Sequence, residues 1–322
     1  MSQVSIRTMR QGEGERVLDL LEGAFGFREI FARYMKRDPL LQPEDTLLAL
    51  VDDTPISCVQ IFTKRIRLRG ETVPLGGIGS VATATSHRRQ GLGNELLRRA
   101  LEEMERRGMA LALLFADLVG FYERLGFVSL PQRRQLLHRP PRLPDPPVDV
   151  RFRAFVPEDL PAVRDLYDQY GGSFEASTVR DPSYWEGQLG YAGNPDEDFR
   201  VAVRGGRVVA YARVIEIRGA TAATEFGRAA SAAADLAALL LALAPASRPL
   251  ICPRPPDPEL DEALERAGAL LRPMRDPETL WRVLDRPTLV RLSALPSTRG
   301  DEELLVALVG GPRALYWPSD RF

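Results

Sequence analysis

A chain of 322 residues, 44% apolar and 27% charged, has room for two ordinary domains and the composition of a folded protein. Its 43 Lys and Arg stand against 44 Asp and Glu, a net charge of −1 that argues against coiled coil, collagen, wholesale disorder and a surface built to follow nucleic-acid phosphates. The balance is uneven along the chain, with 21 basic and 17 acidic side chains in residues 1–139 and 22 against 27 in the rest.

The opening, MSQVSIRTMRQGEGER, lacks the apolar core of a secretory signal, so a cytoplasmic protein is expected. Val4–Met9 reads as a strand, and Glu13–Phe25 as a helix with Val17, Leu18, Leu21 and Phe25 on one face. Ile30–Met35 reads as helix and Thr46–Val51 as strand. Ile56–Leu68 alternates as one long strand that turns at Arg69-Gly70. That strand holds Cys58; Cys252 lies far away, and neither has a Cys or His at ligand spacing, so reduced structural thiols are expected, with no disulfide and no metal site. A strand Ile78–Thr85, an amphipathic helix Leu92–Arg107, a buried strand Ala110–Phe115, a short helix Phe121–Leu125 and a last strand Phe127–Leu136 complete the region.

Between Arg139 and Pro147 five of nine residues are Pro, which removes amide donors and favours a stiff connector. Beyond it the order repeats: strand Val150–Phe155, helix Pro157–Tyr170, a hairpin of Phe199–Arg204 and Arg207–Ile217 around Gly205-Gly206, strand Thr221–Phe226, helix Ala232–Leu243, strand Leu250–Cys252 and helix Leu260–Ala267. The apolar run Ala229–Ala246 is Ala-rich and broken by Asp235, a buried helix and not the roughly 20-residue apolar span a bilayer needs. Glu303–Val309 reads as a strand in a short tail. The expected division is 1–139, a proline-rich linker 140–149, a second and degenerate copy 150–286, and a C-terminal segment 287–322.

The chemistry concentrates in Gly76–Asn94, GGIGSVATATSHRRQGLGN. A strand of small residues runs into Arg88-Arg89-Gln90-Gly91-Leu92-Gly93 and a helix starts at once. Such a loop brings backbone amides and a positive helix end to an anion, a cradle for a diphosphate. No Gly-Lys-Ser/Thr follows, as a P-loop requires, and the third glycine and distal acid of a dinucleotide fingerprint are missing.

The run Arg88-x-x-Gly91-x-Gly93 after a strand, then helix, strand and Phe121-Tyr122-Glu123-Arg124-Leu125-Gly126-Phe127, resembles the GNAT (Gcn5-related) N-acetyltransferase superfamily over about residues 1–138. The resemblance implies an α/β (α+β) fold with tandem mixed sheets flanked by helices, and acetyl-CoA as co-substrate without a metal. It implies that Val81, Ala82 and Thr83 face the pantetheine arm, that Arg88, Arg89, Gln90, Gly91, Leu92, Gly93 and Asn94 form the diphosphate cradle, that Asp117 and Leu118 line the cofactor, and that Tyr122 is the general acid. The approach Phe115–Gly120 is short and lacks the Asn many members carry. With a second GNAT-like half, the chain looks most like the Eis (enhanced intracellular survival) group, whose last residue, often Phe, offers its carboxylate as general base; here that residue is Phe322.

No Glu or Asp on the strand Ile78–Thr85 could take the proton of an ammonium nucleophile, which adds weight to Phe322, with Asp117 and the loop residue His87 as fallbacks. About 36 residues follow Arg286, too few for the complete sterol-carrier-like domain of Eis proteins, so residues 287–322 read as a remnant of one. Gly227–Ser231 stands where a second cradle would be, so the second half is expected to be silent. A cationic amine, an aminoglycoside or polyamine, would find acidic walls among Glu175, Asp181, Glu186, Asp196, Glu197 and Asp198. Other readings stay open: an acyltransferase for a thiol precursor, as in mycothiol synthase, or for a protein N-terminus, and a non-catalytic CoA sensor. No nucleic-acid or membrane partner is expected; Eis relatives form hexamers, and the sequence leaves monomer and homo-oligomer both open.

Overall fold

The structure, a computed structural model, describes residues 3–191, 197–217 and 219–322. Along the chain run β1 (Ser5–Thr8), α1 (Gly14–Phe25), α2 (Arg28–Arg37), β2 (Thr46–Val51), β3 (Thr54–Leu68), β4 (Glu71–Thr83), α3 (Leu92–Arg106), β5 (Leu111–Phe115), α4 (Val119–Glu123), β6 (Val128–Ser129) and β7 (Gln132–His138). After the prolines come β8 (Val150–Ala154), α5 (Leu160–Gly171), α6 (Pro182–Tyr191), β9 (Asp198–Arg204), β10 (Arg207–Ile217), β11 (Ala220–Arg228), α7 (Ala233–Leu243), β12 (Leu250–Pro253), α8 (Pro258–Arg266), β13 (Leu270–Asp276), β14 (Thr279–Val283), α9 (Arg286–Ser293) and α10 (Asp301–Val309).

These strands form two seven-stranded mixed sheets, ordered β1-β2-β3-β4-β5-β14-β6 and β8-β9-β10-β11-β12-β7-β13. The plan is the same twice. In each, neighbours are antiparallel except one central parallel pair, β4 with β5 and β11 with β12. The sixth strand of each sheet comes from the other half of the chain. β14 lies between β5 and β6, pairing Trp281 with Leu113 and Val128, while β7 lies between β12 and β13.

That exchange corrects the expectation of a single last strand Phe127–Leu136. Leu130-Pro131 breaks it into β6 and β7, because Pro131 has no N–H to continue a ladder, and the two pieces join different sheets. By sheet membership the two units therefore interlock across the proline-rich stretch and do not separate at residue 139. The tail differs too. Glu303–Val309, expected as strand, lies in helix α10, whose Leu304, Leu305, Leu308 and Val309 are buried at helical spacing and whose Glu303 carboxylate accepts from Gly300 N–H (3.0 Å).

One face of the first sheet is covered by α3. Its Leu96, Leu97, Ala100, Leu101 and Met104 pack against Val59, Ile61, Ile78 and Leu114, each leucine contributing about 1.5–3 kcal/mol by leaving water. The opposite face is covered by α1 at one end and, at the other, by α9, α10 and the segment that ends at Phe322. In the second unit α5, α7 and α8 enclose one continuous core around Tyr211, Phe226 and Trp185. No helix among the described residues is long and apolar enough to cross a membrane.

Candidate active site

β4 and β5 pair only from Leu75 to Ile78, against Leu111 to Leu114. β4 then continues to Thr83 beside β3 alone, and β5 ends at Phe115, so the sheet opens into a gap. A bulge re-aims β4 there. The register with β3 steps from Gln60/Gly79 to Cys58/Ala82, Ser80 takes a left-handed φ of 52°, and its carbonyl accepts from the Cys58 thiol (3.2 Å). Ala84 N–H donates to Ile56 O (2.8 Å), which makes Ser57 and Thr83 a pair without mutual backbone bonds. The Thr83 N–H and carbonyl therefore face the gap, where the carbonyl accepts from Arg88 Nε (3.3 Å). Ala82 does not face the gap: its side chain is buried against α1 in the cluster of Val17, Leu20 and Leu21.

Beyond Thr83 a single turn, Thr85–His87, leads to Arg88–Gly91. Arg89 (φ 63°) and Gly91 (φ 81°) are both left-handed, and α3 starts directly after Gly91 with no side chain capping its first amides. Alternating backbone hands beside a helix N-terminus turn successive N–H groups toward one point, the geometry that suits a diphosphate. Gly91 has open space around it and Gly93 is in ordinary contact with Thr83 Oγ1, so a ligand could come close to the main chain. Arg88, Arg89 and Gln90 are exposed around this turn, as is Asn94 on the first turn of α3.

The last residue of the sequence lies at the same opening. A Cβ on Gly77 would fall 2.3 Å from the Phe322 ring, and one on Gly79 would fall 3.4 Å from its main-chain carboxyl carbon. The ring stacks on Phe62 (centroids 5.2 Å) and tilts against Phe115 (5.5 Å). The Gly76-Gly77-x-Gly79 run is thus in part room for Phe322.

Tyr122, on α4, is buried between Phe121 and Phe127, with edge-to-face contacts at 4.9 and 6.1 Å. Burial pushes its phenol up to about 12. Asp117 and Leu118 follow β5 and are exposed, Leu118 by 72%. Asp117 lies within hydrogen-bonding reach of Glu278, the residue before β14, whose carboxyl is pushed up by burial and then by Asp117. Sequence reading missed Glu278, because the exchanged strand brings it here from the far half of the chain. His87 Nδ1 bonds Ser86 Oγ (2.9 Å) in the turn.

The acidic side chains expected to line a wall are spread and engaged. Glu175 accepts from Arg69 N–H, Asp181 caps α6 through Tyr184 N–H, Glu197 pairs with buried Arg213, and Asp198 pairs with Arg200. Glu186 is exposed on α6, and Asp196 lies outside the described residues.

Comparison with known proteins bears on this arrangement. The family described as the acetyltransferase (GNAT) domain matches residues 5–129, β1 through β6 with the gap and the cradle inside it. The chain carries a GNAT acetyltransferase domain. A curated relative, an uncharacterized N-acetyltransferase from Streptomyces avermitilis, is 28% identical over 165 residues, 48% of this chain; the chain spans 39% of that relative's length. Among solved structures, a GCN5-related N-acetyltransferase from Kribbella flavida has a TM-score of 0.70 at 19% identity, covering 90% of this chain and 73% of its own. Eis1 from Mycobacterium abscessus has a TM-score of 0.63 at 19% identity, covering 89% and 76%. These likenesses run through both sheets, so the tandem fold as a whole is shared.

Set beside the GNAT domain, the second unit has a corresponding gap, crossed by an ion pair and without the cradle. β11 and β12 pair only at Thr221/Leu250 and Ala222/Ile251. Where the cradle would follow, Arg228 turns inward, bonds Asp257 through Nε and Nη2 (both 2.8 Å), and donates to the carbonyls of Ala229 and Ala230. No residue from Arg228 to Ala233 adopts a left-handed conformation.

Proposed function

We propose that this chain is an N-acetyltransferase that moves an acetyl group from acetyl-CoA directly to a small primary amine, with both substrates bound together. One juxtaposition carries the reading: the Phe322 carboxyl lies against Gly79, at the point where β4 leaves β5 in a GNAT domain. Acetyl-CoA would supply the acyl group as a thioester. The amides of Arg89–Asn94 would hold its diphosphate, Val81 and Thr83 would offer their backbone along the gap, and Asp117 and Leu118 would border it.

Each remaining role has a group suited to it. With Phe322 last, its carboxylate accepts the proton of the incoming ammonium. The Thr83 N–H, aimed into the gap, stabilises charge that develops on the carbonyl oxygen. Tyr122 holds a proton at its Oη for the leaving sulfur, its phenol being neutral far above pH 7. Direct transfer suits the cysteines: burial pushes the Cys58 thiol up to about 12 and raises Cys252 as well, which leaves both poor nucleophiles. The catalytic work falls to residues 1–139 completed by β14 and the tail.

The test is CoA release from acetyl-CoA with a panel of aminoglycosides and polyamines, comparing the 322-residue chain with one extended by a single glycine. Turnover lost in the extended protein, with acetyl-CoA binding kept, is the expected result. Equal turnover in both proteins removes Phe322 from the mechanism. Binding without turnover on any amine favours a CoA sensor.

A further inference from the structure

We propose that the second unit takes part in the reaction as a positioning device: buried Arg180, acting through Asp320, sets where the Phe322 carboxyl stands. The inference rests on the reading of that carboxyl as the base, and it concerns residues far from the cradle.

The approach to Phe322 is held step by step. Leu315 and Trp317 enter the core of the second unit while Tyr316 between them enters the core under the first sheet, so the strap is seated in both. A single turn, Pro318–Asp320, follows, closed by Asp320 N–H to Trp317 O (2.9 Å). Asp320 is then gripped from the second unit. Arg180 donates Nε to Oδ1 (2.9 Å) and Nη2 to Oδ2 (2.8 Å), Tyr184 donates to Oδ1 (3.1 Å), and Tyr316 donates to the Asp320 carbonyl (2.9 Å). Arg180 is itself fixed by Glu225 of β11, which also accepts from Ser319. The Arg180, Glu225 and Asp320 side chains have no exposed surface. Arg321, one step on, pairs with Asp276 beside β14 and lies over the Phe115 ring (4.3 Å).

Two residues of chain can reach only about 7 Å, so a carboxylate locked at Asp320 confines Phe322 to the mouth of the gap. Such a network is a poor way to gain stability, since well-packed apolar residues generally do as well as a buried ion pair. What it provides is direction: a forked guanidinium holds one carboxylate in one orientation. This gives the second unit, whose own gap is crossed by the Arg228–Asp257 ion pair, a part in the chemistry of the first.

The experiment uses the full chain with Asp320→Asn, and with Tyr184→Phe as a milder change that keeps the ion pair. Circular dichroism confirms folding, and acetyl-CoA affinity reports the distant cradle. The readout of position is carboxypeptidase release of Phe322, which follows how often the end leaves its seat. The expected acceleration is about tenfold or more for Asp320→Asn and about threefold for Tyr184→Phe. The turnover number should fall about tenfold in Asp320→Asn with the KM for acetyl-CoA within about twofold, and the same substitution should cost nothing further in the glycine-extended protein.

Unchanged release from the folded Asp320→Asn protein, or from Tyr184→Phe if Asp320→Asn does not fold, overturns the proposal. So does a turnover loss that recurs in full on the extended background. Faster release with full turnover supports the positioning and overturns Phe322 as the base, so the two ideas fail separately.

Discussion

At the scale of the residue, Gly77 and Tyr122 carry the clearest consequences. Gly77→Ala places a methyl 2.3 Å from the Phe322 ring, well inside contact distance, so the ring must leave its stack on Phe62. The expected cost is about 1–3 kcal/mol of stability from overpacking, read by thermal melt, together with loss of single-turnover acetylation while acetyl-CoA still binds. Full activity in Gly77→Ala would mean that the seat of Phe322 does not matter. Tyr122→Phe should lower turnover about 10²–10⁴-fold without weakening acetyl-CoA binding. The phenol itself should titrate near 12 in a tyrosinate absorbance scan, against 10.0 for a free tyrosine. Because the folded-state value is the higher one, the stability this residue contributes is intact below pH 10 and is lost as pH rises toward 12. The phenol motif around Tyr122 was legible in sequence, and so was the spacing of the glycines. Their partner was not, because 243 positions separate Gly79 from Phe322 and no local periodicity spans that distance.

At the scale of the element, the turn from β4 into α3 joins two backbone devices, the bulge at Ser80 and the left-handed pair Arg89 and Gly91. Gly91→Ala tests the second in isolation, since nothing lies within 4 Å of the added methyl. Holding alanine at a φ of 81° costs about 1–2 kcal/mol, and any relaxation turns the cradle amides away. The expected result is a raised KM for acetyl-CoA with the turnover number at saturation little changed; a loss confined to the turnover number would place the cradle elsewhere. This turn was readable because its needs are local, a glycine at a positive φ followed by the apolar stripe of α3. The segment Glu303–Val309 misled for a related reason. Its short run of Leu and Val suits strand or helix alone, and Glu303 capping Gly300, with a shared apolar face under the first sheet, decides for helix.

At the scale of the whole molecule, the exchange of β7 and β14 decides how the halves depend on each other. The proline-rich stretch announces a boundary in composition, but hydrogen-bonded ladders cross it both ways, and pairing partners are what a single sequence does not display. Without β14, residues 1–139 would leave β5 with an open edge and lose the fully buried Leu280 and Trp281 from the cores they complete. The same fragment would carry β7 with no sheet to join. An unpaired central edge with an apolar face is an aggregation site. The isolated 1–139 fragment should therefore be unfolded or aggregated by circular dichroism and gel filtration, whereas the full chain should unfold in one transition followed equally by ellipticity and tryptophan fluorescence. Trp281 reports the first sheet and Trp185 and Trp317 the second core, so coincident curves require both units to melt together. A soluble 1–139 fragment that binds acetyl-CoA would show instead that the exchanged strand is dispensable, and with it the structural reason for keeping a second unit that has no cradle of its own.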